Sequence, residues 1–201
     1  MISLALVFSN LNDSPYRVLF LGDSITAGYG LSLREAYPQK VQDLLAEKNL
    51  SIKSINGGVS GDTTAGGLRR LQWQLKSNPQ MVVIALGAND MLRGIPPETT
   101  KKNLEQMIKL LQENKIQVVL LEMQANPTMG RDFVKRFDEI YKKLGKEMNV
   151  PVLDFFISEV ALKPELNLED RIHPNGRGQK VIAEKVSQFL EPILRSELEK
   201  N

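Results

Sequence analysis

An α/β sandwich, a five-stranded parallel sheet between two layers of helices, is what the hydrophobic pattern of this chain predicts. Three observations carry that prediction. Short, unbroken apolar runs bounded by Gly, Asn, Asp or Pro recur along the sequence, as expected for strands covered on both faces. Amphipathic stretches with a 3.6-residue period lie between them. The two patterns alternate with short connections, and no linker or low-complexity tract interrupts them, so one three-layer domain results.

The first strand is read at Val18-Leu19-Phe20-Leu21, the third at Met81 to Leu86 and the fourth at Val118-Val119-Leu120-Leu121. A shorter run, Val150-Pro151-Val152-Leu153, supplies the fifth. Ile52 and Ile55, set among Ser51, Lys53 and Ser54, make a weaker second strand that belongs near a sheet edge. Helix faces follow from spacing: Tyr37, Val41, Leu44 and Leu45; Leu68, Leu71 and Leu75; Leu104, Met107, Ile108 and Leu111; Phe137, Ile140, Tyr141 and Leu144; Ile182, Val186, Phe189 and Leu190. Trp73 is expected to be half-buried, and Arg69 and Arg70 to form a solvated face. The domain is placed at residues 15–195, after a leader at 1–14 and before a polar, fraying tail at 196–201.

The leader contains the apolar run Leu4-Ala5-Leu6-Val7-Phe8, which reads either as the end of a secretory signal or as a loosely packed lead-in. It lacks a basic n-region and is too short to span a bilayer, and no other segment approaches that length, so no integral membrane segment is expected.

Composition narrows the chemistry. The 201 residues carry 26 basic and 24 acidic side chains, a formal charge of +2, with no basic block, so no nucleic-acid partner is implied. The absence of cysteine removes disulfides, thiolate nucleophiles and thiolate metal sites. One histidine, His173, excludes multi-histidine metal centres and forces any histidine-dependent step through a single ring. No oligomeric state is implied.

In an open α/β sheet, ligands bind beyond the carboxyl ends of the strands. The polar loops that follow the predicted strands are Gly22 to Thr26, Asn56 to Asp62, Gly87 to Asp90, Gln124 to Arg131, and the segment ending Asp170-Arg171-Ile172-His173-Pro174. Ser24, in the turn after the first strand, has the posture of a nucleophile, although serine is equally an ordinary helix cap. His173, three residues after Asp170, suits a general base with a carboxylate holding its far nitrogen; a surface histidine beside a solvated Asp is the plainer alternative. Gly61 offers a backbone N–H and Asn89 a side-chain amide to a developing oxyanion, while a turn glycine and an Asx cap explain each residue separately. Asp23 and Asp62 read as loop and helix-start stabilisers. Ser60 is the rival nucleophile, with no histidine near it in sequence.

Four blocks now stand in order: Gly22-Asp23-Ser24-Ile25, Gly58-Val59-Ser60-Gly61-Asp62-Thr63, Gly87-Ala88-Asn89-Asp90 and Asp170-Arg171-Ile172-His173-Pro174. On these blocks the chain resembles the SGNH hydrolases of the GDSL esterase/lipase superfamily, from about Arg17 to Leu194, and within it the bacterial thioesterase I/lysophospholipase and arylesterase branch. The resemblance implies a flavodoxin-like SGNH hydrolase fold. It implies Ser24 as nucleophile, His173 as general base and Asp170 as its orienting partner, with an oxyanion hole formed by the N–H groups of Ser24 and Gly61 and the side chain of Asn89. It also implies a small-molecule acyl ester or thioester substrate, no metal or organic cofactor, and a periplasmic or secreted location. The missing cysteine-bearing lipoprotein start leaves a cytoplasmic location open.

The chemistry expected is two-step hydrolysis through an acyl-serine, with an acid limb dominated by one ionisation because the chain has one histidine. Met91, Leu92, Ile95 and Met129, with Phe133, are candidates for an acyl groove; helix ends packing on the core account for them equally well. The runner-up substrate class is an acetylated carbohydrate. The rival class, a non-catalytic binder of phosphate, flavin or sugar, lacks both G-x-G-x-x-G and the G-x-x-x-x-G-K-[ST] cradle.

Overall fold

The computed structural model describes residues 15–199. The leader at 1–14, with its apolar run, lies outside them. Five parallel strands, β1 (Tyr16–Gly22), β2 (Ile52–Gly58), β3 (Met81–Ala85), β4 (Gln117–Leu121) and β5 (Val152–Leu153), form one sheet in the order β2-β1-β3-β4-β5. The helices are α1 (Ser24–Ala27), α2 (Tyr37–Ala46), α3 (Thr64–Gln74), α4 (Ala88–Leu92), α5 (Pro97–Glu113), α6 (Arg131–Met148) and α7 (Gly176–Leu198). The α2 helix packs on α7, and α5 packs between α3 and α6, giving a helical layer on each side of the sheet.

The two central strands are apolar along their length because both faces are covered: Val18 to Leu21 and Met81 to Ile84 are fully buried. The polar interruptions in β2 fit its edge position, where Lys53 is exposed. At the other edge β5 shrinks to two residues, since Pro151 cannot donate to the ladder and the chain turns away after Leu153. The helix stripes at Leu104, Met107, Ile108 and Leu111 and at Phe137, Ile140, Tyr141 and Leu144 are all core.

Two expectations need correction. Trp73 is 66% exposed, because α3 turns it away from the sheet while burying Leu71. Arg70 is no solvated residue: its guanidinium reaches back under the loops at the carboxyl ends of β1 and β2. In addition, α7 runs through Leu198, past the point where the polar tail begins in the sequence, because Leu194 is buried and Arg195 pairs with Glu191 and donates to the Lys48 carbonyl. Among the described residues no helix is long and apolar enough to cross a membrane.

A candidate active site at the strand switch point

The strand order reverses between β1 and β3, where connections leave the sheet in opposite directions and a crevice opens at the carboxyl ends. Ser24 follows β1, Gly61 follows β2 and Asn89 follows β3, so topology alone brings three of the four sequence blocks to this crevice.

Ser24 is the first residue of α1, and Asp23 caps that helix by accepting the Ile25 N–H at 3.0 Å. Four residues of helix are not stable alone, so neighbours hold them. Asn56 donates to the Thr26 carbonyl (2.8 Å), the fully buried Gln179 of α7 donates to the Ile25 carbonyl (3.0 Å), and the Thr26 and Tyr37 hydroxyls hydrogen-bond at 3.0 Å.

His173 arrives from the loop before α7. Asn175 caps α7 by accepting the N–H groups of Arg177 and Gly178, and its own amide donates to the carbonyls of Glu165 and Asn167. Leu168 N–H donates to the His173 carbonyl at 2.8 Å, closing the loop upon itself. The imidazole then lies between two partners: Nε2 is 3.0 Å from Ser24 Oγ, and Nδ1 is 2.7 Å from Asp170 Oδ2. Asp170 Oδ1 accepts the N–H groups of Ile172 and His173, both at 2.9 Å. The His173 backbone and ring hydrogen bonds, then that of Ile172, pull the Asp170 carboxyl down to about 2, so it is an acceptor at any working pH. Nδ1 therefore carries the proton, and Nε2 is left to accept from the Ser24 hydroxyl.

The oxyanion candidates face the same crevice. As the first helical residue, Ser24 has an N–H with no intrahelical acceptor. The Gly61 N–H has no hydrogen-bond partner among the described residues, and Gly61 adopts φ +77°, a conformation that favours glycine. Asn89 donates firmly to the Asp62 carbonyl (3.0 Å) and weakly to Asp23 Oδ2 (3.5 Å), so its second N–H is the one available to a ligand oxygen. Gly87, at φ +128°, has no room for a side chain: a Cβ there would sit 2.1 Å from the Tyr141 hydroxyl, which donates to the Leu86 carbonyl.

Two neighbours change the expected picture. Arg70 donates to Asp62 Oδ2 (2.7 Å), the Gly57 carbonyl (2.6 Å) and the Gly22 carbonyl (2.9 Å), tying together the ends of β1 and β2 and the loop that carries Gly61. Asp23 is 1% exposed, and its desolvation raises the carboxyl to about 6, against the opposing pull of the Ile25 N–H and of His173. A second ionisation thus lies beside the imidazole, where the sequence alone gave only one. The Asp62 carboxylate is paired with Arg70 and mostly buried. Ser60 is exposed in the turn after β2, and the imidazole hydrogen-bonds Ser24 instead.

A groove of about 380 Å³ adjoins the site, between Ile25 and Ala88 on one side and the segment Phe155 to Leu162 on the other. Met91 and Leu92 line it. Ile95 is not among its lining residues, and Met129 packs against the core while Phe133 stacks on Phe137. The wall at Phe155 to Leu162 follows a two-residue strand and carries no motif, so the sequence offered no signal for it beyond its apolar content. A larger cavity of about 540 Å³ lies near Arg17, Gln80 and Gln117 at the amino ends of the strands, away from Ser24. Among the described residues no group of three or more Asp, Glu or His side chains is arranged to hold a metal ion.

Residues 20–181 match the model of the GDSL-like Lipase/Acylhydrolase family. An arylesterase of Vibrio mimicus is 38% identical over 94% of this chain and 96% of its own length. Thioesterase 1/protease 1/lysophospholipase L1 of Escherichia coli K12 is 38% identical over 88% of this chain and 84% of its own length. Among solved structures, the psychrotrophic esterase EstA from Pseudoalteromonas sp., inhibited by monoethylphosphonate, superposes with a TM-score of 0.84 at 32% identity, covering 90% of this chain and 99% of that one. The chain belongs to the GDSL-like lipase/acylhydrolase family and is a serine esterase of the SGNH hydrolase fold.

Proposed function

We propose that Ser24, His173 and Asp170 carry the ester hydrolysis of this enzyme, and that the acyl part of the substrate lies in the groove lined by Met91 and Leu92. The observation that supports this most is the unbroken chain from Ser24 Oγ through the imidazole to Asp170, at 3.0 and 2.7 Å.

The steps follow from the donor assignments. Ser24 Oγ attacks the acyl carbonyl carbon while its proton passes to His173 Nε2, and Asp170 holds the resulting imidazolium. The carbonyl oxygen, now negative, is met by the N–H groups of Ser24 and Gly61 and by the Asn89 amide. The tetrahedral centre collapses, the C–O or C–S bond to the leaving group breaks, and Nε2–H protonates the departing alcohol or thiol. Water then gives a proton to Nε2 and attacks the acyl-serine; the second tetrahedral centre collapses, the C–Oγ bond breaks, and Nε2–H returns its proton to Oγ as the carboxylic acid leaves.

Aryl esters, acyl thioesters and lysophospholipids are the proposed substrate classes, supported by what the relatives are named for and by an apolar groove open at one end of the site. An exported location, expected from the family resemblance of the four sequence blocks, would appear on cell fractionation as release with the periplasm. The function is tested by product-identified hydrolysis of p-nitrophenyl and thioester substrates of increasing chain length, with Ser24→Ala as control. Rates that rise beyond acetyl and vanish in Ser24→Ala support the assignment. Activity confined to acetyl groups transfers it to acetylated carbohydrates, and activity retained in Ser24→Ala refutes it.

A further inference from the structure

The imidazole has a third neighbour that the acyl mechanism does not use. Tyr29 lies five residues after Ser24, between Gly28 (φ +73°) and Gly30 (φ +75°), and its N–H donates to the Ser24 carbonyl at 3.0 Å. Two left-handed glycines turn the chain sharply back over α1, and that turn sets the Tyr29 ring on the face of His173. The ring centroids are 4.3 Å apart with planes inclined by 34°, and Tyr29 remains 50% exposed. A half-exposed aromatic has little reason of its own to be held so closely by a glycine-flanked turn. The contact joins the nucleophile loop to the base loop, which are otherwise 149 residues apart in the chain.

Resting on the role given to His173 above, we propose that Tyr29 is a positioning residue for the general base: its ring covers one face of the imidazole, keeps Nε2 directed at Ser24 Oγ, and stabilises the imidazolium formed as Ser24 attacks. The negative face of an aromatic ring attracts a cation whose centre lies within about 6 Å, and the attraction grows when the neutral ring takes up a proton. Among the described residues, Asp170 hydrogen-bonds Nδ1 and the buried Asp23 interacts electrostatically with the ring, and neither depends on Tyr29 for its hydrogen bonds.

Because His173 is the chain's single histidine, its ring protons can be followed by NMR without assignment. Tyr29→Phe keeps the π face; Tyr29→Leu keeps bulk without it. In Tyr29→Leu the imidazole titration midpoint is expected to fall by about half a pH unit, equivalent to about threefold in the protonation equilibrium. The value of kcat is expected to fall about threefold or more with KM within about twofold, and Tyr29→Phe is expected to retain both wild-type values. An unshifted midpoint in Tyr29→Leu, an equal loss in Tyr29→Phe, or a change confined to KM overturns the inference. His173→Ala separates this from the underlying mechanism: an inactive His173→Ala beside an unshifted Tyr29→Leu removes only the role of Tyr29, whereas an active His173→Ala removes the base itself.

Discussion

Replacing Arg70 by methionine removes three hydrogen bonds without opening a large void, since the methionine stem follows the same path. The guanidinium and its partner Asp62 are 18% and 13% exposed, so solvent replaces little of what is lost. A hydrogen bond to a charged group contributes about 1.5–3 kcal/mol, and stranding a mostly buried partner costs about 3–5 kcal/mol in all. Taking about 4 kcal/mol and a urea slope of about 2 kcal/mol per molar, the midpoint of unfolding should drop by about 2 M at unchanged slope. Arg70→Lys keeps one charged contact but not the fork, and should recover only part of that loss. The same variants should lose turnover while still folded in the absence of urea, because Arg70 fixes the ends of the two strands that present Ser24 and Gly61. The assay is urea unfolding followed by circular dichroism, with esterase activity measured on the same samples. A midpoint shift below about 0.5 M with full activity would refute the reasoning and return Arg70 to the solvated surface.

Other outcomes follow from the same geometry. Asn89→Ala should lower kcat by about 10²–10³-fold with little change in KM, as expected for a donor that acts on the oxyanion and not on the ground state; steady-state kinetics check this. Burial raises Asp23 to about 6, above its value in the unfolded chain, so between about pH 4 and 6 the folded state binds more protons and stability falls as pH rises. Asp23→Asn should flatten that slope, read from unfolding midpoints at a series of pH values, and a wild-type profile without the slope would contradict it. The opposite sign holds for Asp170, lowered to about 2: its contribution is complete above about pH 4 and disappears only as pH falls through 2. Ala161→Phe, which fills the groove, should lower kcat/KM about tenfold or more for long-chain esters and spare acetyl esters, whereas equal losses on both would detach the groove from acyl binding.

Much of this was legible in the residues themselves. Unbroken apolar runs fixed the buried strands, because a strand covered on both faces has no polar positions to confuse the pattern, and the polar spacing of Ile52 and Ile55 marked an edge. The loops after the strands were readable because parallel topology sends them all to one end of the sheet. What escaped was decided by side chains whose partners lie far away in sequence. Arg70 looks like any cation on a helix until the ends of β1 and β2 are seen beneath it. Asp23 looks like a cap, which it is, but only the packed loops show that capping leaves it without solvent. Tyr29 sits in a short glycine-flanked turn with no periodicity to interpret, and its contact with His173 spans most of the chain. The groove wall at Phe155 to Leu162 belongs to an irregular segment, where hydrophobic spacing carries no directional information.

Ester hydrolysis by this route requires that Ser24 Oγ be the nucleophile. Treating the purified protein with a fluorophosphonate and mapping the adduct by peptide mass spectrometry reads that atom directly. A single adduct on Ser24, lost in Ser24→Ala and suppressed in His173→Ala, is the expected result. Modification of Ser60 in its place, or no modification of a protein that still hydrolyses esters, would contradict it.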